Sequence, residues 1–264
     1  MIHIGTLHYR DDRWIDIQLR YLERHTNKPY RVYASLDGID ARYRSRFHYA
    51  ADHTEFVADH STGTRIDKKL NALATEMTRQ AATDDPLVIM HGDAFPISDW
   101  VGALRRMLAE SPLAAIRRDE NLEPIPHWCF CATTAGFWAE IDGDWSRGPT
   151  WEFNGDHITD TGATLWEILE SRGIAWHPIL RTNKVNLHPV WFGIYGDIIY
   201  HHGAGFRTPM SRFDATGYDH LPIPLRNFAG VRKRIANTVL SRRMFRRIVE
   251  DERFYLALSG RELA

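Results

Sequence analysis

A mixed α/β fold with a mostly parallel sheet flanked by helices is predicted by three observations. Apolar runs of strand length alternate with stretches of helical periodicity through the first half of the chain, the pattern of strand–helix–strand units. No apolar run approaches the ~18 residues of a membrane span, so these runs are core strands. With 264 residues, 44% hydrophobic and 25% charged, the chain suits one α/β domain with a small appendage.

Ile2 and Ile4 mark a first strand over Met1 to Gly5, and Thr6 to Arg10 reads as the loop after it. Trp14, Ile15, Ile17, Leu19 and Leu22 recur at roughly helical spacing, with Asp11 or Asp12 as N-cap and Asn27 and Pro29 closing the helix. Arg31 to Leu36 is a second strand ended by the turn pair Asp37-Gly38, and Thr54 to Ala58 a third. The helix from Arg65 to about Ala82 carries the stripe Ile66, Leu70, Leu73 and Met77. Leu87 to Met90 is a buried strand that breaks into His91-Gly92-Asp93 and the turn-prone Ala94, Phe95 and Pro96. A helix over Trp100 to Ala109 and a strand over Leu113 to Ile116 complete a Rossmann-like half.

Beyond Asp119 the pattern changes. Asn121 to Trp151 reads as a strand with long loops. Thr161 to Arg172 is a helix capped by Asp160 or Thr161 and ended by Gly173, and Trp176 to Leu180 is a strand. Val190 to His202 forms a hairpin turning at Gly196-Asp197. Ser211 to Pro224 is loop, and Asn227 to Leu258 is a mostly helical, strongly basic C-terminal segment.

Composition narrows the function. A net charge of −1 argues against whole-surface attraction to nucleic acid, and no nucleic-acid partner is expected. The amino terminus has no apolar h-region, so neither a cleaved signal peptide nor a membrane span is expected, and a cytoplasmic location is favoured. Cys129 and Cys131, two apart on one face of an extended strand, read as reduced core residues. There is no G-x-G-x-x-G after the first strand and no P-loop, G-x-S-x-G, H-E-x-x-H or paired C-x-x-C motif. A nucleotide site in this chain is therefore built from strand ends.

Asp93 and His91 stand at the carboxyl end of a central strand, where open α/β sheets bind ligands, beside a glycine that admits close approach. A carboxylate there suits a divalent cation holding phosphate oxygens. This stretch resembles the DxD-type strand end of GT-A glycosyltransferases, with His91 in place of the usual first Asp. The resemblance covers roughly residues 1–210 and implies a nucleotide-binding half over 1–119 and a smaller acceptor-side half over 120–210, with 211–264 as an extension. It implies a glycosyltransferase moving a sugar from a UDP-, GDP- or dTDP-sugar to a hydroxyl of a glycan or lipid-linked acceptor, assisted by Mg²⁺ or Mn²⁺.

By the same resemblance Thr6 begins the nucleotide cradle, and Ser35 and Asp37 meet the base or ribose. Lys69 and Asn71 reach the diphosphate or donor sugar, His91 and Asp93 hold the cofactor, and a late histidine joins Asp93 on the metal. Strand neighbours face opposite sides, so one of His201 and His202 enters the site. His202 is the expected ligand. Arg207 neutralises the leaving diphosphate. Glu152, Asp156 and Asp160 are all candidates for the general base; Asp160 suits an N-cap, and Asp156 is the preferred base. Trp145 and Trp151, set among Gly, Asp and Ser, are the expected loop-placed aromatics of an acceptor platform, whereas Trp128, Phe137 and Trp138 are core.

The stretch from Arg226 to Arg253 combines many arginines with an apolar stripe and suits the surface of an anionic bilayer, which implies a peripheral membrane protein. A non-catalytic α/β binding module whose basic tail docks on nucleic acid or membrane is the alternative from a different class.

Overall fold

The structure, a computed structural model, describes residues 1–40, 42, 54–60, 65–119, 123–153, 156–182, 193–203, 239, 242–243 and 246–248. In chain order the elements are β1 (Ile2–Tyr9), α1 (Arg13–His25), β2 (Tyr30–Asp37), β3 (Thr54–His60), α2 (Ile66–Gln80), β4 (Pro86–His91) and β5 (Ala94–Pro96). They continue with α3 (Trp100–Glu110), β6 (Leu113–Ile116), β7 (His127–Thr134), α4 (Ala135–Glu140), β8 (Trp151–Phe153), β9 (Asp156–Ile158), α5 (Ala163–Ser171), β10 (His177–Ile179), β11 (Gly193–Tyr195) and β12 (Ile199–His201).

The central sheet has seven strands in the order β10-β6-β7-β4-β1-β2-β3. Only β7 runs against the others, pairing antiparallel with β4 and β6, so the sheet is mainly parallel, as the strand–helix alternation predicts. Helices cover both faces. Ile15 and Leu22 of α1 and Trp100, Val101 and Leu104 of α3 pack on one side. Leu70, Leu73 and Met77 of α2, Trp138 of α4 and Leu165 and Leu169 of α5 pack on the other. Burial on both faces is why β4 reads as a continuous apolar run, Leu87 to Met90, rather than an alternating one. A second sheet, β11-β12-β5, is antiparallel, and β8 and β9 form a separate hairpin. No helix among the described residues is long and apolar enough to cross a membrane.

Several local expectations change. β1 continues through Thr6 to Tyr9 because β2 and β4 supply pairing partners as far as Asp37 and His91. Thr6 is therefore a strand residue. Ala94–Pro96, turn-prone by sequence, is a buried strand because β12 offers it a ladder. Cys129 and Cys131 do not share a face. A register shift between β6 and β7 sends Cys129 into the α1/α3 core and leaves Cys131 in the other. Both are free and buried. Trp145 and Trp151 are buried, at 1% and 8% exposure, and Trp145 stacks on Trp138 with ring centres 5.5 Å apart, so neither is a free platform. Large aromatics gain more from burial than loop composition suggests. Asp160 accepts from the Thr161 N–H, but the residue capping α5 is Gly162, at φ +97°.

Of the basic C-terminal segment, Val239, Arg242, Arg243, Arg246, Arg247 and Ile248 are helical, with Ile248 buried and the arginines exposed. The remainder, together with Arg207 and the predicted loop from Ser211, lies outside the described residues.

Candidate metal and nucleotide site

The chain leaves β1 toward β2 and β3 on one side and returns to β4 on the other, so the β1/β4 boundary is the topological switch of the sheet. Crevices at the carboxyl ends of such a pair are where α/β sheets receive ligands. Here the crevice is a small pocket, lined by Leu7, His8, Tyr9, Asp11 and Trp14 from one side and His91, Gly92 and Asp93 from the other. Arg10 turns the chain out of β1 at φ +55°, its N–H donating to the Asp37 carbonyl at 2.9 Å. At the start of α1, Asp11 holds the Arg13 guanidinium with Nε at 2.6 Å.

Gly92 lets the turn after β4 lie directly on β1. Its N–H donates to the Leu7 carbonyl at 3.0 Å. A Cβ in its place would stand 2.6 Å from that oxygen and 2.7 Å from His8 Nδ1. The second sheet then delivers the late histidines. Pairing of β12 with β5 sets His201 opposite Ala94, and the His202 N–H donates to the Asp93 carbonyl at 3.0 Å.

Three donor atoms converge as a result. His91 Nδ1 lies 2.5 Å from Asp93 Oδ1, His201 Nε2 lies 3.4 Å from the same oxygen, and the two imidazole nitrogens are 3.2 Å apart. Ligands about 2.1 Å from one ion and at right angles around it are ~3 Å apart, so this triangle fits a shared divalent cation. Asp93 is 4% and His201 4% exposed, and His91 is partly open to the pocket. Burial alone would raise the Asp93 carboxyl, but His91 and His201 together outweigh it and hold it well below the usual carboxylate range. Burial also pushes His201 down, against the pull of Asp93. An ionised carboxylate and an uncharged imidazole are the forms that ligate a cation.

Around the triangle lies a shell of buried polar groups. Trp128 meets His91 edge-on at 4.3 Å and stacks on His127 at 5.9 Å. His127 Nδ1 accepts from the Cys129 N–H at 3.0 Å, which leaves the proton of the neutral ring on Nε2. Burial and the nearby Arg118 keep His127 well below the usual imidazole range. Arg118 is itself neutralised by Glu123, with Nε 2.7 Å from Oε2. His8, fully enclosed, is pushed down to about 3 by burial and by His91.

The sequence-predicted residues fall into distinct places. His91 and Asp93 meet in the triangle. The histidine beside Asp93 there is His201, whereas His202, the expected ligand, packs its ring 4.5 Å from Trp14 and sets Nδ1 3.0 Å from the Tyr200 hydroxyl. Asp37 and Lys69 come together, but as an ion pair with each other, both 1% exposed. Ser35 is fully buried on β2. Thr6 donates to Gln18 Oε1 at 2.7 Å. Asn71 clamps a loop, donating to Asp144 Oδ1 at 2.6 Å and accepting from the Trp145 N–H at 2.8 Å. Asp156 is exposed on the β8–β9 hairpin, in a sheet separate from the two that build the triangle.

Sequence reasoning missed Gln18, the Arg118–Glu123 pair and His127. For Gln18 a signal existed, because a polar residue occupies a core-facing position between Trp14, Ile15 and Leu22 on α1.

No known family model matches the chain, and no curated protein matches it. Among solved structures, the chain is similar to the mannosyltransferase PcManGT from Pyrobaculum calidifontis, in complex with GDP-Man and Mn²⁺. That similarity covers 67% of this chain and 54% of that one, with a TM-score of 0.47 and 16% identity. The glycosyltransferase GlyE of Streptococcus pneumoniae TIGR4 is similar over 53% of this chain and 36% of its own, with a TM-score of 0.40 and 16% identity. TarS 1-349 of S. aureus, in complex with UDP, is similar over 55% of this chain and 50% of its own, with a TM-score of 0.40 and 10% identity. The chain thus spans about half or less of the length of each.

Proposed function

We propose that this chain transfers a sugar from a nucleotide-diphosphate sugar to an acceptor hydroxyl, with the donor diphosphate lying in the β1/β4 crevice over a divalent ion held by His91, Asp93 and His201. The observation that supports it most is the convergence of three ligand atoms, from His91 and Asp93, which line a pocket on the switch point of a mainly parallel sheet, and from the buried His201 behind them. Two imidazoles and one carboxylate suit a first-row transition ion such as Mn²⁺ better than Mg²⁺, which prefers oxygen ligands. Bound there, the ion would supply positive charge to the departing nucleotide diphosphate.

The protein's own groups divide the remaining work. The ionised Asp93 gives the ion its anionic ligand, and Gly92 keeps the crevice floor as low as backbone allows. Asp156 is proposed as the base that accepts the proton of the acceptor hydroxyl, and Arg207 as a second cation for the diphosphate. A glycan or lipid-linked molecule is the proposed acceptor, with the exposed arginines Arg242, Arg243 and Arg246 available to an anionic surface.

A thermal-shift series with UDP, GDP and dTDP, each with and without Mn²⁺, tests the donor class. A ligand at about 100 times its Kd adds roughly 2.7 kcal/mol to the native state, a readable shift. Stabilisation by one nucleotide that needs both Mn²⁺ and Asp93 is expected. Indifference to all three nucleotides, with and without Mn²⁺, would overturn the reading.

A further inference from the structure

The side chain of Gln18 is fully buried on the core face of α1, where the neighbouring positions Trp14, Ile15 and Leu22 are apolar. A primary amide in such a place costs several kcal/mol unless its hydrogen bonds are made, so an apolar residue would pack there with less risk. All the bonds are made, and their addresses are specific. Oε1 accepts from the Thr6 hydroxyl on β1 at 2.7 Å. Nε2 donates to the His91 carbonyl and to the Ala94 carbonyl, each at 2.7 Å. The opposite amide orientation would set Oε1 against two carbonyl oxygens, so the network itself fixes which end is which.

Those two carbonyls bracket Gly92 and Asp93. They end β4 and begin β5, at the point where the chain steps from the parallel sheet to the antiparallel one. One amide thus spans the step, tied to β1 through Thr6. The Gly92 N–H to Leu7 carbonyl bond pins the same turn from the other side. With the turn held at both ends, the Asp93 carboxylate has its position against His91 and His201 set by the backbone.

We infer that Gln18 is the positioning residue of the ion site: without touching the ion, it holds the 91–94 turn in the conformation that gathers His91, Asp93 and His201. This rests on the reading of those three residues as ion ligands. Groups behind ligands in this way commonly change metal affinity by about 10- to 100-fold when removed. It also explains why Thr6 is placed where it is. Its hydroxyl proton is committed to Gln18, which makes Thr6 a support of the turn.

The test is Mn²⁺ affinity, read from the free-ion signal in electron paramagnetic resonance, on wild type, Gln18→Met, Thr6→Val, Asp93→Asn and Leu169→Ala. Leu169 is buried in the core on the other face of the sheet and serves as a control for general destabilisation. Gln18→Met, of similar shape but with no donors, is expected to weaken Mn²⁺ by about tenfold or more. Thr6→Val keeps Gln18 and both carbonyl bonds, and is expected to give a smaller loss in the same direction. Leu169→Ala is expected to bind Mn²⁺ as wild type does at a temperature where circular dichroism shows it folded. If Gln18→Met does not fold, Thr6→Val alone decides. Wild-type affinity in every folded Gln18 or Thr6 variant, with binding still lost in Asp93→Asn, overturns the role of Gln18 and keeps the ion site. Binding that survives Asp93→Asn, or is absent from wild type, overturns the ion site itself.

Discussion

Two carboxylates flank β1 at the same end of the sheet, and both are buried. Asp37 closes β2 at 1% exposure and Asp93 follows β4 at 4%. Their partners make them different sites. Asp37 faces the ammonium of Lys69, which carries protons only and has no lone pair to offer an ion. The other Asp37 oxygen, Oδ1, is buried with no hydrogen-bond partner among the described residues. Asp93 faces two imidazoles, each with a nitrogen able to ligate, and it borders a pocket. Burial of a charge is common to both places. The chemistry of the partner and the bordering pocket distinguish the two places.

Among substitutions, the largest expected effect breaks the Asp37–Lys69 pair. Lys69→Met leaves Asp37 buried without a counter-charge and should cost about 3–5 kcal/mol in urea denaturation. Asp37→Asn combined with Lys69→Met should restore most of that loss, because no charge then remains to be compensated. A double variant as unstable as the single one would show that the pair is held by contacts beyond its charges.

Acidity acts on the imidazole side. His8 and His202 are held neutral by burial and each is pushed down to about 3. Their pKa values lie below those of the unfolded chain, so the stability they carry is complete above pH ~6.5 and is lost as pH falls toward ~3. Over that window each contributes up to about 1.4 kcal/mol of loss per pH unit. Metal-free stability measured between pH 7 and 4 should fall accordingly, and a flat profile would contradict the enclosed, neutral histidines.

Gly92→Ala sharpens the contrast further. The added methyl meets the Leu7 carbonyl at 2.6 Å, and a clash of this kind typically costs about 1–3 kcal/mol. Because the turn must lift to relieve it, Mn²⁺ binding should weaken as well. The smallest expected effect on stability is at Asp156, where exposure on β9 makes Asp156→Asn neutral within ~0.5 kcal/mol. Loss of a general base at this position should still lower kcat by about 10²- to 10⁴-fold with donor affinity unchanged.

Much of this arrangement is legible in the sequence. The alternation of apolar runs with helical stripes carries the parallel sheet, and Leu87 to Asp93 marks its ligand-binding strand end. What could not be read there depends on pairing between distant segments. The choice between His201 and His202 turns on which face of β12 meets Asp93. That face is set by β5, three residues whose local composition reads as a turn. Lys69 and Asp37 each have the chemistry of a donor contact, and only the folded chain shows that they neutralise each other. Cys129 and Cys131 separate because a register shift, invisible to a period-two pattern, falls between β6 and β7. Gln18 was missed as well, although an amide within an apolar helical stripe is a signal the sequence carries.

His91, Asp93 and His201 are proposed to hold one divalent ion. The most direct measurement is an Mn²⁺ titration of wild type, Asp93→Asn and His201→Asn, each confirmed folded by circular dichroism. A single saturable ion is expected in wild type, and its loss in both variants. Unchanged saturable binding in either variant would contradict it.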